Sequence, residues 1–379
     1  MARRQHFTRA RWLPALVAVV GVLALAGGAR GGMVAARGGT YIGDVKVSEA
    51  GVRVGETNVA WGDVLYVTTG QPPRVAVGAQ AVRFKSGDVW YVEVPAISEG
   101  QVTLGEGLLG KRKVNLDGVA GVDFGAGVAG TAAVKDNTLY RDKGEPLPGK
   151  LLWADAKRVA IDSPLGVLTP ARGGPMRYVV SAERAGAPKE DQVVLTDGSV
   201  LRGRVVPGRD GNFEIEHPVL GKYALAAGNV ASVARHQAWA TFLTETAMSV
   251  RTTPLLTRAL PAETVEAANI EGPTGGRCLA AVVIPAGSRI EYPLGARAAG
   301  GSVFRATLES AESSKGTMSL RVSVGGKEVL REEFAPGGPA RAIAVEMPDG
   351  DALAIEVDYG SVLAFPCGMV VADPVIVSR

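Results

Sequence analysis

From residue 39 to the C-terminus, apolar and polar positions alternate in short runs rich in valine, and glycine, proline or Asp-Gly pairs separate the runs. A period of two is the pattern of strands whose successive side chains point to opposite faces, and the punctuation is that of tight turns. Few long stretches favour helix, so the pattern predicts an all-β chain of many short strands.

The alternation repeats. Residues 82–122 (VRFKSGDVWYVEV…GLLGKRKVNLDGVAGV) align without a gap on residues 193–233, 111 positions later. Val82/Val193, Gly87/Gly198, Val94/Val205, Gly100/Gly211, Leu109/Leu220, Gly110/Gly221, Lys111/Lys222, Val119/Val230 and Val122/Val233 coincide. Half that offset reaches a weaker copy at 139–180, in which Gly144, Gly149, Ile161 and Pro164 match Gly198, Gly203, Ile215 and Pro218. A truncated copy spans 39–67, where Trp61-Gly62-Asp63-Val64 corresponds to Ala227-Gly228-Asn229-Val230. Four copies at a period of about 55 residues are therefore expected over 33–236. Each reads as a β-meander with one apolar face, which must be buried against a neighbour or by curling up, so small SH3-like or half-barrel units are predicted.

The pattern changes near Gly276. Strands are predicted at 278–284, 288–294, 303–308, 318–324, 327–334, 340–346, 352–358 and 368–377, and eight strands in about a hundred residues suggest a jelly-roll β-sandwich over 276–379. Residues 237–275 read as a linker docking on that domain.

Composition reinforces the picture with 50 Gly and 22 Pro in 379 residues. Six of the 41 basic residues (Arg3, Arg4, Arg9, Arg11, Arg30 and Arg37) fall in the first 37 positions without an acid, leaving 35 basic against 38 acidic side chains. The remainder is thus acidic by three charges rather than basic by three. With no concentrated basic footprint beyond Lys111-Arg112-Lys113, nucleic-acid binding is not expected. The early arginines precede an apolar stretch from Leu13 to Ala29 with small residues around Ala26–Ala29. Residues 1–32 are therefore expected to be a secretory signal or, uncut, an N-terminal anchor. Either way the rest is exported to the periplasm, the cell surface or the medium, and an uncleaved leader is the only membrane contact expected.

Candidate chemistry is sparse. Gly105-Glu106-Gly107-Leu108-Leu109-Gly110 has the G-x-G-x-x-G spacing, but Lys113-Val114-Asn115-Leu116-Asp117-Gly118 follows as strand and turn where a phosphate loop needs a helix. His217 and His236, the only histidines after the leader, are too few for a three-ligand zinc site and belong to no catalytic motif. No enzyme activity, cofactor or metal is expected. Cys278 and Cys367, the only cysteines, are a possible disulfide pair in an exported domain or else two buried thiols.

The segments Ser288-Arg289-Ile290-Glu291-Tyr292-Pro293-Leu294, Phe304-Arg305-Ala306-Thr307-Leu308, 319–330, Leu353-Ala354-Ile355-Glu356-Val357-Asp358-Tyr359-Gly360 and Asp373-Pro374-Val375-Ile376-Val377 resemble the NPCBM carbohydrate-binding domain. That resemblance implies a galactose-binding-like fold, and the preceding repeats resemble those ahead of such domains in secreted proteins of planctomycete-type bacteria. The chain departs from the family at Pro285, where a histidine commonly falls. Tyr292 and Tyr359 are candidates for either core or ligand contact, with Asp358 beside the latter. The loops at 349–351 and 359–366 are the expected binding region. The expected partner is a glycan or surface polymer; alternatively the chain is an envelope assembly protein whose partners are other envelope proteins.

Overall fold

The computed structural model describes residues 31–125, 135–182, 190–253, 263–266, 280–294, 301–311, 314–360 and 367–378. Residues 1–30 of the expected leader lie outside them, whereas Gly32, its last expected residue, is buried at the start of the first strand. The chain forms two compact units: one reaches to Thr246 and includes Val265–Ala281, and the other comprises Ala247–Thr264 and Val282–Arg379. Among the described residues there is no α-helix, and the all-β expectation holds.

The first unit is four variations on one SH3-like barrel. Repeat 1 holds β1 (Gly32–Ala36), β2 (Gly39–Gly43), β3 (Val45–Ser48), β4 (Gly51–Val54), β5 (Thr57–Ala60) and β6 (Val64–Thr68). Repeat 2 holds β7 (Ala81–Phe84), β8 (Val89–Tyr91), β9 (Ala96–Ser98), β10 (Gln101–Leu104), β11 (Arg112–Asn115) and β12 (Val119–Asp123). Repeat 3 holds β13 (Thr138–Arg141), β14 (Leu147–Pro148), β15 (Lys150–Ala154), β16 (Val159–Ser163), β17 (Gly166–Leu168) and β18 (Met176–Val179). Repeat 4 holds β19 (Asp191–Leu195), β20 (Val200–Pro207), β21 (Asn212–His217), β22 (Gly221–Ala226) and β23 (Val230–Ala234). In β20 one continuous strand does the work of two in the other repeats. A 3-10 turn precedes the last strand in repeats 1, 2 and 4.

In every repeat the first strand pairs antiparallel with the last, which closes the barrel. The pairs at the seam are equivalent: Val34–Val67, Val82–Val122, Leu139–Tyr178 and Val193–Val233, all of them buried. Turn glycines follow the same logic, since Gly87 and Gly198 both sit at φ +90°, where a side chain is strained. Repeat 1 is more complete than its sequence suggests. It begins at β1, seven residues ahead of the expected start at Gly39, because a two-residue turn at Arg37–Gly38 replaces the longer turn of the other repeats.

The repeats join through strands that pair with their own equivalents. Val67 lies opposite Val233, Val122 opposite Tyr178, Ala154 opposite Ile97 and Val89 opposite Val200. Flanking hydrogen bonds come in reciprocal couples: Thr69 N–H to Ala231 O with Arg235 N–H to Leu65 O, and Phe124 N–H to Met176 O with Val180 N–H to Ala120 O. Each junction is therefore isologous, as in a two-fold dimer. The resulting sheet runs β14-β13-β18-β12-β7-β8-β20-β19-β23-β6-β1-β2, which orders the repeats 3-2-4-1.

Between the repeats and the sandwich, 237–275 contains β24 (Ala240–Phe242), β25 (Ser249–Thr252) and β26 (Glu263–Glu266). The second unit contains β27 (Ala280–Pro285), β28 (Ser288–Pro293), β29 (Val303–Ser310), β30 (Met318–Val324), β31 (Lys327–Phe334), β32 (Arg341–Glu346), β33 (Ala352–Tyr359) and β34 (Gly368–Val377). These match the expected strands to within two residues. Sheets β25-β28-β33-β30-β31 and β27-β34-β29-β32 make a jelly-roll sandwich whose core includes Ile290, Tyr292, Phe304, Leu320, Val322, Ile355 and Val371.

Candidate functional site

The three candidate ligand residues do not converge. Tyr292 is fully buried on the inner face of β28, and its hydroxyl meets Met248 Sδ at 3.6 Å. Burial pushes that hydroxyl up to about 12. It is a core side chain, and the expectation of a ligand contact there is corrected. Asp358 and Tyr359 are consecutive in β33, so the strand's period of two sends them to opposite faces. Asp358 is exposed on the outer face opposite Ser319.

That outer face is a solvated ladder of charge. Across the five strands lie Arg251, Arg289, Glu356, Arg321 and Arg331 in register. Glu356 pairs with Arg289 at 3.3 Å and with Arg321 at 2.6 Å, and Glu291 joins Arg289 at 3.2 Å. Glu328 likewise holds Arg331 at 2.7 Å, so acids already engage Arg289, Arg321 and Arg331 on this face.

Of the two expected loops, residues 349–351 precede β33 and pack on Gly325, whereas Tyr359 ends that strand. Eight residues of extended strand set Tyr359 about 23 Å from 349–351, and residues 361–366 of the second expected loop lie outside the described residues.

What remains is the end of the sandwich where β27, β29, β31 and β33 finish. Half-buried Tyr359 lies over the turn Ala286–Gly287, with its ring 3.0 Å from where a Gly287 side chain would begin. The backbone there is knitted: Gly287 N–H donates to Val357 O at 2.7 Å, Thr253 N–H to Gly287 O at 2.7 Å, and Gly360 N–H to Thr317 O at 2.9 Å. Buried Ser314 clips the same end, its Oγ donating to Gly368 O at 3.1 Å and accepting from Gly368 N–H at 3.0 Å. Pro285 sits here too, against Gly368. Cys367 is buried and burial raises its thiol, while Cys278 and any bond between the two lie outside the described residues.

In the repeat unit, a shallow cleft with about 10 Å³ of room is lined by Trp90, Tyr91, Leu104, Gly107, Leu108 and Asp197, among others. That is about the space of one water molecule and far short of a small-molecule pocket. Burial raises the Asp197 carboxyl, offset in part by the Ser199 N–H. The Gly105–Gly110 segment borders this cleft as a turn, without a following helix. Nearby, His217 is fully buried: Nδ1 accepts from Val219 and Leu220 N–H at 3.0 and 3.1 Å, and Nε2 faces Asp88 Oδ1 at 3.3 Å. The sequence shows only a histidine outside any catalytic motif and gives no sign of the pair. No group of three or more His, Cys, Asp or Glu side chains able to hold a metal occurs among the described residues.

No family matches the chain, and no curated protein does. Among solved structures, the CBM51 module of Clostridium perfringens GH95 in complex with methyl-galactose is 14% identical, with TM-score 0.30 over 36% of this chain and 99% of that one. The tandem CBM51 modules of Sp3GH98 from Streptococcus pneumoniae SP3-BS71 are 10% identical, with TM-score 0.31 over 50% and 71%. A family 43 arabinoxylan arabinofuranohydrolase from Bacillus subtilis in complex with cellotetraose is 13% identical, with TM-score 0.23 over 90% and 76%. Carbohydrate-binding modules and an enzyme thus appear side by side at remote similarity.

Proposed function

We propose that the chain is an exported, non-catalytic binding protein whose sandwich recognises a glycan or surface polymer at the end that carries Tyr359. The observation behind this reading is the Tyr359 ring, half-buried at a loop-bearing end of the sandwich and lying over a turn whose backbone is fixed by hydrogen bonds. A fixed aromatic face suits the apolar side of a sugar ring, and rigid scaffolds present such contacts in loops. The NPCBM-like segments support the same reading, and the leader pattern supports export.

A glycan array followed by calorimetry tests it. Tyr359→Ala is expected to weaken binding about tenfold or more, since a central aromatic contact is worth 1.4 kcal/mol or above. Gly287→Ala, which at φ +78° sets a methyl against both the Thr253 carbonyl and the Tyr359 ring, is expected to weaken binding as well by disturbing the turn under the ring. Asp358→Ala, on the charged outer face, is expected to leave it unchanged. Binding that survives Tyr359→Ala but not Asp358→Ala would move the site to the outer face.

A second reading is an envelope assembly protein without a sugar site. Pro285, which stands at this same end in the place of the family's histidine, favours it. Silence across polysaccharides would support that reading, and release of reducing ends from any of them would replace both with an enzyme.

A further inference from the structure

The long sheet of the repeat unit has two ends, and they are finished differently. At one end is β14 of repeat 3, at the other β2 of repeat 1. Both are the second strand of their barrel, equivalent to β8 and β20, which pair with each other between repeats 2 and 4.

In that internal junction Val89 faces Val200, Tyr91 N–H donates to Ser199 Oγ at 2.9 Å, and Arg202 N–H donates to Asp88 Oδ1 at 2.6 Å. The second strand thus turns alternate residues, Val200 and Arg202, away from its own barrel. In repeat 3 the matching positions follow from the register Leu139–Leu147 and from Gly149 N–H donating back to Asn137 O. They are Pro146 and Pro148. Neither has an N–H to offer, so that end is closed to further pairing.

Repeat 1 is built the other way. Met33 N–H points to Thr68 Oγ1 on the β6 side, so Val34 and its partner Tyr41 face each other across β1 and β2. By alternation, the N–H groups of Thr40 and Ile42 point outward. Both residues are exposed, Ile42 with 63% of its surface, and the outer edge of β2 has no partner strand among the described residues. An unblocked edge carrying an exposed isoleucine is a template for pairing.

We infer that β2 is a homodimer interface, in which the β2 strands of two copies of this chain pair antiparallel along the Thr40–Ile42 edge. The occupant is a second copy because every junction between repeats already joins equivalent strands in this isologous way, and the sheet is continued by its own kind. Because Pro146 and Pro148 close the opposite end, assembly stops at two and does not run on into a fibre.

Sedimentation of the whole chain over a concentration series tests this, with Ile42→Lys and Thr40→Pro as variants. Ile42 is exposed and the Thr40 N–H faces away from β1, so both variants keep the barrel, which unchanged thermal unfolding verifies. The expected result is a dimer whose dissociation constant rises about tenfold or more in either variant. Deuterium uptake at Thr40 and Ile42 is expected to be slow in the dimer and fast in the variants. A chain that stays monomeric up to about 100 µM, well above the range of specific micromolar interfaces, overturns the inference. So does a dimer that both variants leave intact, because its contact then lies elsewhere.

Discussion

The buried pair of His217 and Asp88 joins repeats 2 and 4 through side chains 129 positions apart. With Nδ1 accepting two backbone N–H groups, the ring hydrogen lies on Nε2 and is donated to Asp88, which also accepts from Arg202 N–H and the Ser86 hydroxyl. His217→Ala leaves two amides and a carboxylate short of partners, so a loss of about 2–4 kcal/mol is expected from such buried groups. Urea unfolding followed by tryptophan fluorescence checks it, with Trp90, 5.7 Å from the imidazole, as the local reporter. A second residue-scale effect concerns pH. Tyr292 ionises near 10 when unfolded but at about 12 when buried, so the unfolded sandwich sheds a proton that the folded one keeps. Its contribution to stability is complete below pH 10 and is lost as the pH climbs towards 12. Tyr292→Phe is expected to flatten that part of the stability profile, read against tyrosinate absorbance in the parent. Neither residue's role was legible in the sequence: a lone histidine carries no sign of the acid that another repeat brings to it, and a tyrosine on an alternating strand fits either face.

At the scale of elements, the bend of the second strand in repeats 3 and 4 depends on close backbone approach. Gly149 and Gly203 occupy equivalent places, and a side chain at either would start 2.4 Å from a carbonyl of the next strand, Asp162 O or Glu216 O. Gly203→Ala is expected to cost about 1–3 kcal/mol, the range for forcing atoms into packed space, measurable as a lower denaturation midpoint. Strands themselves were readable because turn glycines and core valines recur at matching positions, and the sandwich strands fell within two residues of expectation. β1 was not readable as part of a repeat, since its short turn at Arg37–Gly38 displaces the register. The separation of the two expected loop positions was not readable either. Residues 349–351 and Tyr359 are neighbours in sequence yet lie at the two ends of β33, and only strand direction reveals this.

At the scale of the molecule, the repeat order 3-2-4-1 separates this unit from solenoids, whose repeats contact only their neighbours in sequence. A substitution in repeat 1 should therefore be felt first in repeat 4. Val67→Ala, at a fully buried position opposite Val233, is expected to cost about 2 kcal/mol and to speed hydrogen exchange in β23 more than in β12, although β12 is nearer in sequence. Equal acceleration in both would mean that the four barrels open as one.

The pairing of β6 with β23 also imposes an order in time. Repeat 1 leaves the ribosome first, but the strand that covers its edge is made more than 160 residues later, as the Thr69–Ala231 bond records. At about 5–20 residues per second the edge waits for roughly 10–30 s. During that interval a nascent chain displays a bare strand margin, which makes repeat 1 the natural client of a holding chaperone.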